Sequence, residues 1–570
     1  MFTALIMPKK IAQVLPGVAM THWAPDKMGP GAYGIPQRGP DPELLQLFGE
    51  APRALVCSQG CKTNQYEAEA CRQRLQAMGF TSKIGFLHAE EEYLQSCQLV
   101  ILNSCTVTAE AGRKARQFLR RIRRNNPEAI LGVMGCEAEL HDMDDLVDVQ
   151  GGTRDRFAFL TRAVEAVKAR QRLRLAEGLD LTKASAPSGT GQAGTEQIGG
   201  EQAGTEQKGG EEAGTEPIET EQKGLAGRGP GTGLPAKLDF EDLGPVVDQT
   251  LTRGTIKIED GCNRRCTYCA ICLARGPVRS RDQAQIIEEA RALLASGIEE
   301  LVLTGIHLCS YGLDRGQDTM ALVDLCAELA ALPGRFRIRL GSLEPHCLTP
   351  PVIQGLVANP KLAPYFHLSL QAGCNATLRK MGRDYTKEEY AEVVEAIREY
   401  LPEAGFGTDW MVGFPYETAA DFEESRAFIA DLALSRLHVF PYSPRVGTLA
   451  ARWPQVAATE LSRRAAEAGI LADQLAQDFA QAHQGRTISF LGELEAKPEE
   501  KQIFALWQAN TPTSFPAVLD DWVLVSGYSG NYLPALILMP REDTGKLIQA
   551  KVLGAVDGRG LGVACEGLDI

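Results

Sequence analysis

Three closely spaced cysteines point most directly to chemistry in this sequence. Cys262, Cys266 and Cys269 form a Cys-x3-Cys-x2-Cys group just after a predicted strand. Three thiolates in one short loop can hold three irons of a 4Fe-4S cluster and leave the fourth iron open to a small molecule. The alternative is a zinc knuckle, but zinc sites normally take four ligands from paired Cys-x2-Cys units, and no fourth partner follows at a suitable spacing. The group therefore predicts an iron-sulfur cluster.

Three further cysteines, far apart in the sequence, lie within a few residues of the ends of three predicted strands. Cys61, Cys105 and Cys136 stand in the segments CSQGCKTNQYE, NSCTVT and MGCE. In a parallel sheet these strand ends share one edge, where ligands usually bind, so the three thiolates can converge. The alternative is three buried structural cysteines, because free cysteine is often buried. Their equivalent positions at the sheet edge favour a second cluster.

The elements that position the second group are predicted to form an N-terminal α/β domain over residues 51–175. Apolar runs predict buried strands, and segments with helical spacing lie between or after them. The strands are Ala54–Cys57, Leu99–Leu102 and Ile130–Met134, and the helices are Asn64–Met78, Gly112–Arg124 and Arg156–Arg170. This alternation indicates a parallel sheet.

Residues 248–484 are predicted to form a partial (β/α)6 barrel, whose functional residues should lie at the C-terminal ends of its strands. The predicted strands are Thr255–Ile258, Leu301–Leu303, Phe336–Leu340, Phe366–Leu370, Gly407–Val412 and Leu437–Phe440. The predicted helices include Gln285–Ala295, Ala321–Leu329, Lys387–Tyr400 and Asp421–Leu432.

Three other segments complete the predicted organisation. Residues 485–570 contain short β-type runs and are predicted to form a small β-barrel, an architecture common among RNA-binding modules. These runs are Thr487–Leu491, Trp522–Tyr528, Ala535–Met539 and Leu547–Leu553. Residues 176–247 include ten-residue repeats such as EQAGTEQKGG, which carry little apolar surface and predict a flexible acidic linker. Residues 1–50 are predicted to be a poorly ordered extension.

The Cys-x3-Cys-x2-Cys group, with Tyr268 before its last cysteine and a β/α barrel around it, resembles the radical S-adenosylmethionine superfamily. The resemblance implies that the open iron binds S-adenosyl-L-methionine and that the cofactor carries the radical step. With Cys61, Cys105 and Cys136 added, the chain is similar to the methylthiotransferase family, which has an N-terminal three-cysteine domain, a radical barrel and a C-terminal TRAM domain. This implies two 4Fe-4S clusters held by the six cysteines. The cluster held by Cys61, Cys105 and Cys136 would handle the inserted sulfur.

Within that family, segments such as CKTNQYE, ARGPVRSR, TDWMVGFP and HVFPYSPRVGT are most similar to the threonylcarbamoyladenosine tRNA methylthiotransferases. The resemblance implies conversion of N6-threonylcarbamoyladenosine next to the anticodon to its 2-methylthio derivative. It also implies tRNA, an electron donor protein and a sulfur source as partners. Two alternatives within enzymes are methylthiotransferases for isopentenyladenosine in tRNA or for a ribosomal protein aspartate. An RNA-binding protein with vestigial clusters is the alternative from another class, and the intact cysteine groups argue against it.

The resemblance implies further candidate residues in the barrel. Those that would contact cofactor or substrate are Tyr268, Thr304, Gly305, Ser342, Glu344, Gln371 and Asp409. The chain departs from its relatives at Tyr416, where they have glycine, and near Cys272, where they have a proline and an aromatic residue. The remaining cysteines, among them Cys309, Cys326 and Cys347, are predicted to be mostly core residues.

The net charge of −14 has the wrong sign for a simple nucleic-acid binder, so RNA contacts must come from local basic patches. The predicted RNA-binding residues are Arg113, Lys114, Arg116, Arg120, Arg121, Arg123, Arg124, Arg275, Arg279 and Arg281. The alternative for the basic run is a solvated helix face. The sequence has no stretch of eighteen or more apolar residues, so a membrane span is not expected. Fifteen cysteines without an export signal indicate a cytoplasmic protein.

Overall fold

The computed structural model describes residues 40–87, 91–176, 239–510, 521–556 and 561–567. The described residues up to Lys168 and from Asp239 onward form one compact unit. None of the described helices has the length and apolar character that a membrane crossing requires.

The N-terminal part is a parallel five-stranded sheet with strand order β2-β1-β3-β4-β5. Its strands are β1 Arg53–Ser58, β2 Thr81–Gly85, β3 Leu99–Ser104, β4 Ile130–Gly135 and β5 Val149–Gln150. Its helices are α1 Pro42–Phe48, α2 Lys62–Ala77, α3 Glu91–Ser96, α4 Ala109–Asn125, α5 Cys136–Leu140 and α6 Arg156–Ala176. The three predicted strands and three predicted helices are confirmed. The analysis missed β2 and β5, which are edge strands with little continuous apolar sequence.

Apolar clusters cover both faces of this sheet, as a parallel sheet requires. Strands β3 and β4 are therefore buried along their whole length. Their C-terminal ends point to one edge, and the helices α4 and α5 begin there. Thr108 caps α4 by accepting the N–H of Ala111 at 3.1 Å.

The central part is the predicted partial barrel, built from two parallel sheets with strand orders β10-β9-β6 and β11-β12-β13-β14. Its strands are β6 Gly254–Lys257, β7 Glu259–Asp260, β8 Arg279–Ser280, β9 Glu300–Thr304, β10 Arg337–Leu340, β11 Ser342–Leu343, β12 Tyr365–Leu368, β13 Gly405–Val412 and β14 Arg436–Pro441. The short strands β7 and β8 form a separate antiparallel pair around the cysteine loop.

The helices of the barrel pack around its strands over the largest apolar core of the chain. They are α7 Ile271–Arg275, α8 Gln283–Ala295, α9 Met320–Ala330, α10 Pro350–Val357, α11 Asn375–Met381, α12 Lys387–Tyr400, α13 Ala419–Asp431 and α14 Ala458–Ala482. Capping boxes at Thr386 and Thr418 begin α12 and α13. All six predicted strands and all four predicted helices of the barrel are present.

The C-terminal part is a closed five-stranded barrel with strand order β15-β16-β17-β19-β18. Its strands are β15 Thr487–Glu495, β16 Trp522–Ser529, β17 Pro534–Pro540, β18 Leu547–Val556 and β19 Leu561–Gly567, and α15 Pro498–Asn510 lies between β15 and β16. The predicted small β-barrel is confirmed. The sequence analysis missed α15 and β19.

Two predicted irregular segments lie mostly outside the described residues. For the predicted extension this holds for residues 1–39, and for the predicted linker it holds for residues 177–238. The described end of the linker segment, from Asp239, packs against the N-terminal domain: Leu243 and Val246 are buried beside Tyr66. Glu241 pairs with Arg156 at 2.7 Å.

Candidate active site

Cys61, Cys105 and Cys136 meet at the carboxyl edge of the N-terminal sheet. Cys105 follows β3 and Cys136 follows β4, where the register pairs Ser104 with Gly135. Cys61 follows β1, the neighbour of β3 on its other side. Burial, together with repulsion from the nearby thiols of Cys61 and Cys136, raises the pKa of Cys105 to about 12. The structure thus brings together three thiols that are far apart in the sequence.

Two glycines let the chain pass close to this group. Gly60 has a φ of +111°, and a Cβ there would lie 2.7 Å from Cβ and 2.8 Å from Sγ of Cys105. Gly135 has a φ of +97°, and a Cβ there would lie 2.4 Å from Oδ1 of Asn103. Glycine adopts positive φ without the steric cost of a side chain. Both backbone angle and available space therefore require glycine at these positions.

Asn64 and Arg275 hold the loops of the group in place. Nδ2 of Asn64 donates to the carbonyls of Gln59 at 2.9 Å and Ser104 at 3.0 Å. Oδ1 of Asn64 accepts from Nη2 of Arg275 at 2.8 Å, and Nε of Arg275 donates to Sγ of Cys136 at 3.2 Å. Burial raises the pKa of the Cys136 thiol, while the charge of Arg275 lowers it. Arg275 therefore favours a thiolate at Cys136.

Arg275 belongs to a buried network of six charged residues that joins the N-terminal domain to the barrel. Oε1 of Glu67 lies 2.6 to 2.8 Å from side-chain nitrogens of Arg156, Lys257 and Arg275. The carboxylate of Asp260 lies 2.7 to 3.2 Å from side-chain nitrogens of Lys257, Arg275 and Arg279. The four cations are Arg156, Lys257, Arg275 and Arg279. Burial opposes ionisation of Glu67 and Asp260, but these cations hold both pKa values below their usual range. With Glu241, which pairs with Arg156, three carboxylates face four cations, and the excess of positive charge suits a site that holds anionic thiolates.

Cys262, Cys266 and Cys269 lie in the loop that follows β7. The N–H of Cys262 donates to the carbonyl of Gly276 at 3.0 Å, and the N–H of Cys269 donates to that of Cys266 at 3.1 Å. Burial raises the pKa of Cys262 and of Cys269 to about 12, and the neighbouring thiols add to the rise. The short loop thus presents three thiols together, as the spacing predicts.

Glycine and arginine again shape the surroundings of this group. Gly261 has a φ of +85°, and a Cβ there would lie 2.0 Å from the carbonyl oxygen of Pro277. Nη1 of Arg383 lies 3.5 Å from Sγ of Cys266, and its Nη2 donates to Oε2 of Glu344 at 2.8 Å. Each cysteine group therefore has one buried guanidinium in contact with a sulfur atom.

The spacing of the sulfur atoms differs from that of a zinc site. Four zinc bonds of about 2.3 Å to sulfur bring the sulfur atoms within about 4 Å of one another. Across the part of the chain that the structure describes, only His307, His346 and Cys347 place three such ligand atoms all within 4.8 Å of one another. The sulfur atoms of each cysteine group are spread more widely, which suits a cluster of several metal ions better than one zinc ion.

Comparison with known proteins identifies both cysteine-bearing domains. The model of the Radical SAM superfamily matches residues 256–429, and that of the uncharacterized protein family UPF0004 matches residues 53–152. Threonylcarbamoyladenosine tRNA methylthiotransferase MtaB of Bacillus subtilis (strain 168) is 30% identical over 503 residues, which are 87% of this chain and 92% of the relative. The chain belongs to the radical SAM methylthiotransferase family.

Other members of the family match over shorter stretches. The MtaB protein of Aquifex aeolicus (strain VF5) is 30% identical, over 69% of this chain and 81% of the relative. A tRNA-2-methylthio-N(6)-dimethylallyladenosine synthase of Dictyoglomus thermophilum is 28% identical, over 72% of this chain and 80% of the relative. The family uses 4Fe-4S clusters and S-adenosyl-L-methionine, and the two groups of three thiols with cationic neighbours fit two such clusters.

Three of the candidate cofactor residues, Tyr268, Thr304 and Gly305, lie in the cluster loop and at the end of β9. Tyr268 packs edge-on against Phe414, with ring centroids 6.3 Å apart. Thr304 ends β9, and a Cβ on Gly305 would lie 2.1 Å from Oε1 of Glu259, so the chain passes close to that carboxyl. Their contact with S-adenosyl-L-methionine stays a prediction.

The other candidates lie on the second sheet of the barrel. Ser342 begins β11 and is exposed, and Glu344 follows that strand. Gln371 has a φ of +70°, and its N–H donates to the carbonyl of Asp409 at 2.9 Å. Asp409 lies within β13 rather than at its end, and its carboxylate is 3.4 Å from Nε2 of His367.

Tyr416, where the family resemblance implies glycine, has a φ of +64°. This left-handed backbone is one that most side chains disfavour. The tyrosine ring is exposed and lies beside Trp453, with centroids 5.9 Å apart. Cys272 lies in α7, and its Sγ is 3.8 Å from the carbonyl of Cys269.

The predicted RNA-binding residues fall into three groups. Four side chains of α4 are exposed: Arg113, Lys114, Arg120 and Arg124. Three others are half-buried and bind groups of the protein itself. Arg116 pairs with Glu137 at 2.9 Å, Arg123 pairs with Asp148 at 2.8 Å, and Arg121 donates to the carbonyl of Leu87 at 2.8 Å. The solvated part of α4 is thus smaller than the seven charges in the sequence suggest.

The last group, Arg275, Arg279 and Arg281, requires a correction. All three are buried, and each guanidinium pairs with a carboxylate of the protein. Nη2 of Arg281 lies 3.2 Å from Asp242. Phosphates cannot reach these groups, because the packing excludes solvent and internal carboxylates already neutralise them. Arg275 contacts Glu67 and Arg281 contacts Tyr66 of the N-terminal domain, whereas Arg279 binds Asp260 within the barrel.

Sequence reasoning missed several residues that build the site. Asn64 and Glu67 are three residues apart on α2, so they lie on one helix face next to Cys61; this spacing within CKTNQYE was a signal that could have found them. Arg445 gave no such signal. Its Nη2 donates to Oγ1 of Thr106 at 2.6 Å and to Oε2 of Glu137 at 3.1 Å, beside two of the cysteines.

Proposed function

We propose that this protein converts N6-threonylcarbamoyladenosine next to the anticodon of tRNA to its 2-methylthio derivative. The contact of Arg275 with Cys136 carries the proposal, because Arg275 lies six residues after Cys269 and thus couples the loop of one cysteine group to a thiol of the other. Two cysteine groups joined in this way provide one centre for radical formation and one for sulfur. The MtaB relatives support threonylcarbamoyladenosine as the substrate.

In this proposal Cys262, Cys266 and Cys269 hold the radical cluster, and Cys61, Cys105 and Cys136 hold the auxiliary cluster. When bound, the first cluster with S-adenosyl-L-methionine supplies a radical that removes hydrogen from the substrate. The protein's own part is to keep the six sulfurs as thiolates and to exclude water. Arg275 and Arg383 serve the first purpose by placing positive charge next to Cys136 and Cys266.

Lys62 is a residue that could distinguish threonylcarbamoyladenosine from isopentenyladenosine. It follows Cys61 directly, and burial lowers the pKa of its amine; its charged neighbours are Tyr532, Arg253, Arg339 and Glu300. Among the described residues no carboxylate lies within ion-pair distance of Lys62. The carboxylate of the threonylcarbamoyl group would supply that missing partner, whereas an isopentenyl group would not.

The tRNA contacts of the proposal come from the exposed cations of α4 and from the C-terminal barrel. Arg113, Lys114, Arg120 and Arg124 would bind phosphates and position the tRNA without reading its sequence. An electron donor protein and a sulfur source complete the reaction, and the cytoplasm is the compartment where tRNA and these partners meet.

The test is mass spectrometry of tRNA nucleosides from a host that lacks its own enzyme of this type. The host is supplied with the intact protein or with Cys266→Ala. We expect 2-methylthio-threonylcarbamoyladenosine only with the intact protein. Cys326→Ala is the matched control, since Cys326 is buried in α9, and it should leave the product unchanged.

A different product would redirect the proposal. Methylthio-isopentenyladenosine, or methylthiolation of a ribosomal protein aspartate, would replace the substrate but keep the radical chemistry. Unmodified tRNA and protein, together with tRNA binding that survives in Cys266→Ala, would leave only an RNA-binding role.

A further inference from the structure

A second kind of ligand set lies at the ends of β9 and β11, apart from the six cysteines of the proposed clusters. His307, His346 and Cys347 each offer one atom, and the three atoms lie within 4.8 Å of one another. Nε2 of His346 is 2.9 Å from Sγ of Cys347. The two imidazole rings are stacked, with centroids 6.2 Å apart and an angle of 15° between their planes.

His307 has a buried nitrogen that lacks a partner. Its side chain is 8% exposed, and its Nδ1 contacts Oγ of Ser310, which fixes the ring. Within the described residues its Nε2 has no hydrogen-bond partner. A buried polar atom without a hydrogen bond destabilises the folded protein. A metal ion would satisfy it, because metal-binding histidines use one ring nitrogen while a hydrogen bond orients the other.

Cys309 lies next to this set, but its sulfur is not among the three ligand atoms that converge. The thiols of Cys309 and Cys347 share a hydrogen bond, and Sγ of Cys309 accepts the N–H of Glu344 at 3.3 Å. Both cysteines are buried and free. Core packing alone does not explain two thiols and two imidazoles in contact.

We propose that His307, His346 and Cys347 bind one zinc ion. Two imidazoles and one thiolate provide three protein ligands and leave the fourth position of a tetrahedral zinc site open. His307 follows β9 and Cys347 follows β11, and these strands belong to the two different sheets of the barrel. The ion ties the sheets together at the mouth of the barrel, where few backbone hydrogen bonds join them.

The zinc site borders the radical site without sharing a ligand with it. Arg264, in the loop between Cys262 and Cys266, contacts both ring nitrogens of His346 and pairs with Asp384. When zinc binds Nε2 of His346, Arg264 keeps its ion pair with Asp384. The ion thereby fixes the wall next to the cluster loop but takes no part in the reaction.

The experiment measures zinc in the holoenzyme, purified without oxygen and with its iron-sulfur clusters intact. Metal analysis should give about one zinc per chain, in addition to iron. X-ray absorption at the zinc edge sees zinc alone, and it should show one sulfur at about 2.3 Å and two nitrogens at about 2.0–2.1 Å. Cys347→Ser and His307→Gln should each lower zinc at least tenfold while iron stays unchanged.

Three controls separate this site from its surroundings. Cys326→Ser, another buried cysteine, should keep its zinc, and Cys266→Ala should lose iron but keep zinc. His346→Gln covers the case in which the other variants do not fold, because His346 is partly exposed. Its zinc edge should lose one nitrogen or its zinc content should fall, with iron unchanged. These readouts do not depend on the proposed reaction, so methylthiotransferase activity can be absent while the zinc site is present.

Other results would overturn the proposal. They are a holoenzyme without zinc, zinc that persists in Cys347→Ser, a zinc edge with sulfur ligands only, or a Cys309–Cys347 disulfide found in alkylated peptides from the anaerobic protein. The last result would mean that the two thiols pair with each other instead of with a metal.

Discussion

Nε of Arg275 donates a hydrogen bond to Sγ of Cys136 at 3.2 Å, across the boundary between the barrel and the N-terminal domain. The same guanidinium binds Glu67 and Asp260 and lies fully buried. Arg275 thus fixes the loop that follows Cys269 and partly neutralises the buried carboxylates of Glu67 and Asp260. It also brings its positive charge into contact with Cys136, a thiol of the other cysteine group. The two cysteine groups depend on one another for their geometry.

Arg275→Met is expected to cost the protein its auxiliary cluster. Removing one partner of a buried ion pair destabilises a protein by about 3–5 kcal/mol, because the remaining charges lose their compensation. Iron per chain should fall from about eight, the content of two 4Fe-4S clusters, to about four. Iron analysis and the denaturation midpoint measure both effects. Arg426→Met, on the exposed face of α13, is the control and should change neither; equal iron in both variants would contradict the coupling.

Gly60→Ala should also disrupt the auxiliary cluster. The new Cβ would lie 2.7 Å from Cβ of Cys105, and φ is +111°, so the loop must move. We expect a loss of about 2 kcal/mol or more in stability and loss of the auxiliary iron. Gly49→Ala is the matched control, because φ at this position is +71° but nothing lies within 4 Å of an added Cβ. It carries backbone strain without the clash, and it should keep the iron.

Lys62→Gln should weaken the reaction with threonylcarbamoyladenosine. A hydrogen bond to a charged group contributes about 1.5–3 kcal/mol, so kcat/KM should fall roughly 10- to 100-fold. Cleavage of S-adenosyl-L-methionine in the absence of tRNA should continue, because Lys62 is not a ligand of the radical cluster. Unchanged kcat/KM would remove Lys62 from substrate recognition.

Arg120→Gln with Arg124→Gln should weaken tRNA binding. Both side chains are exposed on α4, and each lost phosphate contact reduces the slope of log K against log salt by about one. Filter binding at several salt concentrations measures that slope, for which we expect a change of about two. The double variant Arg426→Gln with Arg463→Gln, whose side chains pair within their own helices, should bind like the parent protein.

Glu259 should make stability depend on pH. Burial raises its pKa from 4.5 to about 8 in the folded protein, so the folded state holds a proton that the unfolded state releases. The stabilisation is complete below pH 4.5 and is lost as pH rises through about 8. The slope reaches about 1.4 kcal/mol per pH unit between these values. Glu259→Gln should flatten the denaturation profile between pH 4.5 and 8; a profile as steep as that of the parent would assign the slope to another group.

The sequence by itself determined the fold class, the two cysteine groups and the family. Apolar runs on parallel strands must be buried on both faces, so β3 and β4 could be recognised as strands and Cys105 and Cys136 as residues of one sheet edge. The loop of Cys262, Cys266 and Cys269 is local, and its spacing alone brings the thiols together. Local pattern and sheet geometry were sufficient for these conclusions.

Only the tertiary structure decided which charges face solvent. Arg113 and Arg275 have the same side chain, yet Arg113 is exposed on α4, and Arg275 is buried with Glu67, which lies more than two hundred residues away in the sequence. The meeting of His307 with Cys347 likewise follows from the packing of two sheets. A guanidinium is buried only where distant carboxylates compensate its desolvation, and that pairing depends on contacts that no local pattern of residues records.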